Sequence, residues 1–166
     1  PGVWPLFRGS PPDPPSPAPH HRPHPAPRVD AVRHSERWLD SFGAYEGMQG
    51  RAERIRARLW DLIAAEKHAG FPIIGYGAPA KATTLFAFCG IRADTVEYVS
   101  DTTPAKQGRY MPGTGIPIVA PRTPRSMPAT FLITAWNYAP QIMRAEVALA
   151  SGGSRWLVPL PAPVVL

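Results

Sequence analysis

The spacing of apolar residues changes character along the 166-residue chain, and the changes mark its elements. From Arg51 to about His68, Ala52, Ile55, Leu59, Leu62 and Ile63 recur at helical spacing, while Arg51, Arg54, Arg58 and Asp61 lie mostly elsewhere. That pattern predicts a long amphipathic helix stopped at Gly70. A shorter helical pattern runs from Asp30 to Phe42, with Val32, Trp38, Leu39 and Phe42 as its stripe and Gly43 at its end. Beyond Gly70 the apolar residues gather into short runs: Phe71 to Tyr76, Thr95 to Ser100, Ile116 to Val119, Thr130 to Ala135 and Arg155 to Leu160. Helical stretches at about Ala80 to Cys89 and Pro140 to Ala150 separate the first run from the second and the fourth from the fifth. Strands that alternate with helices pair in parallel through right-handed crossovers. The expected fold is therefore α/β: a Rossmann-like, doubly wound, mainly parallel five-stranded sheet with flanking helices and a preceding long helix. Between the second and third runs a loop rich in Pro, Gly and Thr takes the place of a helix.

Composition divides the chain. Pro1 to Arg28 holds eleven of the 23 prolines and few large apolar side chains, so residues 1–29 are expected to be a disordered tail in which His20, His21 and His24 are solvated. Residues 30–50 read as a helical linker and 51–166 as the folded domain. A net charge of +6 invites a nucleic-acid reading, but the cations sit in the arginine-rich helix and the tail, without interleaved aromatics. Neither nucleic acid nor membrane is expected as a partner, since no apolar run approaches the length of a span. Cys89 is the single cysteine, which rules out an internal disulfide and a multi-cysteine zinc cluster made by this chain alone. Lying among Leu85, Phe86 and Phe88, it reads as a buried, inert thiol. His34 and His68 have no acid or nucleophile near them in sequence and are given no catalytic role. With Pro1 at its start and no signal-peptide pattern, the chain is expected to be a fragment of a cytoplasmic protein.

The chemistry-bearing pattern is Gly75-Tyr76-Gly77-Ala78-Pro79-Ala80-Lys81, the alanine form of G-x-G-x-x-G/A, placed between a strand and a helix as that fingerprint requires. Its glycines permit a tight turn and a close backbone approach, after which helix N–H groups face an anion. Lys81 brings a positive charge to the positive end of a helix dipole, a mismatch that a phosphate would relieve; the alternative is a tight turn with no ligand. Asp101, at the end of the second strand, either holds ribose hydroxyls or caps the turn Asp101-Thr102-Thr103-Pro104. Lys106 and Arg109, in the long loop that includes Gly113, either reach a second phosphate or are ordinary loop cations. Trp136 either stacks on a base or sugar or packs against a neighbour, and Asn137 either binds ligand or caps the last helix.

The segments GYGAPAK (75–81), AFCGI (87–91), DTTPAKQGRYMPGTGIPI (101–118), TAWNYAPQIM (134–143) and GGSRWLVPLP (152–161), preceded by the AERIRARLWDLI helix, occur in an order that resembles the C-terminal domain of S-adenosylmethionine-dependent sugar C-methyltransferases. The resemblance runs from roughly Gly47 to Leu166. It implies a Rossmann-like domain on the nucleotide-sugar side of an enzyme that methylates a carbon of a nucleotide-linked keto-deoxysugar. It also implies Gly75, Tyr76, Gly77, Ala78, Lys81, Asp101, Lys106, Gly113, Trp136 and Asn137 as substrate-side positions, and no catalytic or metal-binding residue in this chain. The family's zinc-binding cysteines, its upstream glycine-rich S-adenosylmethionine segment and its Tyr-Glu-His stretch have no counterpart here beyond Tyr45-Glu46-Gly47. This chain is therefore expected to bind no S-adenosylmethionine alone and to depend on a missing N-terminal methyltransferase domain. The alternatives from the residues themselves are an NAD(P)-binding oxidoreductase domain and a non-catalytic interaction module.

Overall fold

The computed structural model describes residues 26–121 and 128–166, so most of the expected proline-rich tail lies outside the described residues. Residues up to Tyr45 group into one compact unit and Glu46–Leu166 into another. The first holds helix α1 (Ala26–Glu36), followed by a 3-10 turn at Arg37–Asp40. α1 begins four residues before the expected start at Asp30, and Val32 and Phe42 of the anticipated stripe are 53% and 81% exposed. A short helix α2 (Gly43–Glu46) follows.

The second unit carries the sheet. Helix α3 (Met48–His68) leads into strand β1 (Ile73–Tyr76), helix α4 (Ala80–Cys89), β2 (Val99–Ser100), β3 (Ile118–Val119), β4 (Thr130–Ile133), helices α5 (Ala139–Ala145) and α6 (Val147–Ser151), β5 (Arg155–Val158) and β6 (Val164–Val165). The strand order is β3-β2-β1-β4-β5-β6, parallel throughout except for the antiparallel β5–β6 pair. This is the doubly wound order in which the chain leaves β1 first to one side and then to the other. The sixth strand corrects the expected five: Val164 and Val165 follow two prolines, which hide a strand two residues long.

Each face of the sheet has its own core. On one face α3 and α4 bury Leu59, Ile63, Leu85 and Phe86 over Ile73, Val99, Leu132 and Leu157. On the other, α5 and α6 bring Ala139, Ile142 and Leu149 against Ile74, Phe131, Ile133 and Trp156. The alternation of Ile73 and Ile74 between faces follows from the two-residue period of a strand, and covering both faces makes β1 and β4 continuously buried. The expected second run, Thr95 to Ser100, is strand only at its end, because the amides of Thr95 and Val96 both donate to the Arg92 carbonyl and curl the chain. The last helix divides at Glu146, whose carboxylate accepts a hydrogen bond from Tyr76 Oη at 2.7 Å.

Gly75 shows how tightly β1 is seated. A Cβ there would lie 2.7 Å from Val99 Cγ2 and 3.5 Å from Val99 Cα on the neighbouring strand. Valine is stiff at χ1 and cannot swing aside, so Gly75→Ala is expected to destabilise by about 1–3 kcal/mol as an overpacking change. A denaturant midpoint equal to that of the parent would show that Val99 gives way and that the β1–β2 pair is not closely packed at this point.

Candidate functional site

The glycine-rich turn leaves β1 at its carboxyl end, where ligands of open α/β sheets bind. Gly77 has φ +86°, a conformation that a residue with a Cβ adopts only under strain, and it is what turns the strand into α4. Several polar groups of this turn are paired within the fold, while the amides of Ala80 and Lys81 at the start of α4 have no acceptor among the described residues. Gly77 N–H donates to Ser100 O at 2.7 Å, and Thr134 Oγ1 donates toward Gly77 O and Tyr76 O, at 2.5 and 3.0 Å. Ala78 N–H donates to Asp101 Oδ2 at 2.6 Å, while Ala78 O accepts from Lys106 Nζ at 3.1 Å. Pro79 has no N–H to offer.

Asp101 is thus committed to the turn. Its other carboxylate oxygen accepts Thr103 N–H at 2.8 Å, and Lys106 Nζ lies 3.3 Å from Oδ2. The side chain is 8% exposed. Burial alone would raise its pKa, but hydrogen bonds from Thr103, Ala78 and Lys106 outweigh that and hold it below the usual carboxylate value. Asp101 caps its own turn through Thr103 and also reaches the glycine-rich turn through Ala78.

An open cavity of about 600 Å³ adjoins this turn. Its walls include Ala78, Pro79 and Ala80 on one side and Lys106, Arg109 and Tyr110 on the other. The loop that supplies the second wall is not a free coil. Gly108 N–H donates to Ile118 O, Ile118 N–H to Arg109 O and Met111 N–H to Ile116 O, and the Met111 side chain, 2% exposed, is anchored in the core. Two cations and a largely exposed tyrosine ring are therefore presented from a pinned hairpin. Sequence reading named Lys106 and Arg109 but passed over Tyr110, whose 66% exposure is what distinguishes it from the chain's packed aromatics.

The remaining substrate-side positions do not converge here. Lys81 Nζ lies over the Trp136 ring, 4.1 Å from its centroid, so the charge at the start of α4 is met by an aromatic face. Lys81 and Trp136 line a separate, apolar groove of about 350 Å³ together with Ala52, Ile55 and Phe88. Tyr76 points to the opposite face of the sheet, edge-on to Phe131 and Trp156, where burial and then the hydrogen bond to Glu146 raise its pKa. Gly113 sits in a loop where its carbonyl accepts from Arg92 Nη1 at 3.1 Å. Asn137 is exposed within a 3-10 turn, and the residue at the cap position of α5 is Tyr138 rather than Asn137. Cys89 is buried, its thiol pushed up to about 11 chiefly by desolvation, which fits an inert side chain.

One donor of the turn, Ala78 N–H, and the acid at the end of β2, Asp101, are bonded to each other. Residues 17–161 match the model of the family described as C-methyltransferase C-terminal domain. The C-methyltransferase NovU of Streptomyces niveus is 38% identical over 123 residues, which cover 74% of this chain and 29% of that protein. The match to the family model runs through the glycine-rich turn, the cationic hairpin and both sheet cores, and on that ground the chain belongs to the C-methyltransferase C-terminal domain family.

Proposed function

We propose that this domain is the nucleotide-sugar-binding part of a C-methyltransferase acting on nucleotide-linked deoxysugars, with the S-adenosylmethionine site and the reaction centre on a methyltransferase domain outside this chain. The observation that carries the reading is the cavity between the turn and the hairpin, where Lys106 and Arg109 stand beside an exposed Tyr110. A diphosphate needs cations on a fixed backbone, and a base needs a flat apolar face; the hairpin offers both. Lys106 bridges Ala78 O and Asp101, so its ammonium is held at the cavity wall rather than waving in solvent. The family supports a methyl-transfer context over a dinucleotide oxidoreductase.

Calorimetric titration of the chain with a thymidine diphosphate deoxysugar tests this. Binding is expected, weakened about tenfold by Lys106→Ala or Arg109→Ala, the size of one lost hydrogen bond to a charged group. Arg144→Ala, which removes an exposed cation on α5, is expected to leave it unchanged. Absence of any heat from the sugar nucleotide, or equal affinity in all four chains, would overturn the assignment.

A further inference from the structure

We infer that the face between α3 and α4 is a docking groove for an acidic amphipathic helix of a protein partner. The apolar groove of about 350 Å³ that Lys81 and Trp136 line has a floor of Ala52 and Ile55 from α3, Phe88 from α4 and Leu160 after β5. Phe88 is 42% exposed there, although Leu85 and Phe86 of the same helix are buried. Ile55 also lines an adjoining hollow of about 340 Å³, walled by Arg51, Arg54 and Arg58 and by Pro161, Ala162 and Pro163. The two hollows make one apolar track with a cationic bank. Arg51, Arg54 and Arg58 are spaced by three and then four residues, so they share one side of α3. All three are exposed and none has a carboxylate partner among the described residues, whereas Arg56 is paired with Glu53. Like charges at this spacing weaken a helix, and a row of carboxylates laid along them would reverse the effect. At the other end of the track the Lys81 ammonium meets the Trp136 ring and no carboxylate.

The occupant is a helix because the track runs between two helices, where the side-chain ridges of a third can seat. Its apolar residues at every third or fourth position would cover Ile55 and Phe88 while its acidic flank meets the arginines. A second copy of this chain would set its own arginines against these, and the chain carries a net charge of +6. Nucleic acid is disfavoured because no aromatic ring stands among the three arginines to stack a base. Thr84 lines both this groove and the cavity beside the glycine-rich turn, so the docked helix borders the candidate site. The inference holds whether or not that cavity takes a sugar nucleotide.

The test uses the whole chain and a labelled peptide of about 15 residues, long enough to form a helix. Its leucines recur at every third or fourth position and its glutamates lie along the flank; a scrambled peptide of the same composition is the control. Anisotropy gives the affinity and nitrogen-15 spectra the place. Saturable binding of the patterned peptide is expected, with shifts gathered at the Ile55, Phe88 and Leu160 amides, and the scrambled peptide is expected to bind at least tenfold more weakly. Reversing Arg54 and Arg58 together to glutamate is expected to weaken binding about tenfold, as is Phe88→Ala, while Arg144→Glu on α5 leaves it unchanged. The parent spectra decide even if a variant fails to fold. Equal binding of the scrambled peptide overturns the inference, as does a patterned peptide that does not bind or leaves the groove amides unmoved. So does equal affinity for a DNA duplex or for phosphatidylserine vesicles, since the face would then read charge alone.

Discussion

Replacing Phe86 by alanine is expected to destabilise the domain by about 3–5 kcal/mol, the range for removing a large aromatic side chain from a packed core. Phe86 is 0% exposed and sits on α4 among Leu59 and Ile63 of α3 and Val99, Leu132 and Leu157 of the sheet. It therefore joins two helices to three strands. A gap there cannot close by the shift of one side chain, because the surrounding residues belong to elements pinned by ladder and helix hydrogen bonds. Phe88, two residues later on the same helix, is 42% exposed beside Arg56, and Phe88→Ala is expected to cost well under half as much. Equilibrium denaturation of both variants, with the dependence on denaturant unchanged, gives the comparison. If the two losses came out equal, burial at α4 would not be what sets its stability. The measurement also bears on the candidate site, since α4 begins at Ala80 in the cavity wall: Phe86→Ala is expected to weaken ligand binding only as far as it unfolds the domain.

What could be read from the sequence was what is local. The run Phe71 to Tyr76, its glycines and the apolar pattern from Ala80 to Cys89 announce a strand, a turn and a helix, and all three are present, the strand starting two residues later, at Ile73. β2 and β3 fall inside the runs Thr95 to Ser100 and Ile116 to Val119 but keep only two residues each, and β6 is hidden by its prolines. At the candidate site the residue types were visible and their directions were not. Lys81 and Lys106 both read as cations near a phosphate, yet one lies on the Trp136 ring and the other on the turn carbonyl. Asp101 meets Ala78 across 23 positions, and Tyr76 meets Glu146 across 70. Such pairs leave no mark on spacing, because they are made by the sheet order and not by the chain's own periodicity.

Glu66 is the largest of these omissions, and its replacement by alanine is expected to cost about 2–3 kcal/mol. The residue sits near the end of α3, 6% exposed, where sequence offered only one charge among several on an amphipathic helix. In the structure its Oε2 accepts from Thr130 Oγ1 at 2.5 Å and its Oε1 from Arg155 Nη1 at 2.9 Å, tying α3 to the first residues of β4 and β5. Thr130 is 0% exposed, so losing its acceptor leaves a buried hydroxyl unsatisfied, a penalty of about 1–3 kcal/mol. Arg155 adds less than a buried partner would. Its side chain is 44% exposed and already stacked on Phe71, 4.1 Å from the ring centroid, so water can replace the lost carboxylate. Glu66→Gln retains an acceptor for Thr130 and is expected to lose about 1 kcal/mol or less. Thr130→Val removes the hydroxyl with nearly the same shape, so Glu66→Ala on that background is expected to cost markedly less than on the parent. Additive losses in that cycle, measured by denaturant unfolding, would mean that Glu66 stabilises the sheet end through Arg155 or through packing and not through the buried hydroxyl.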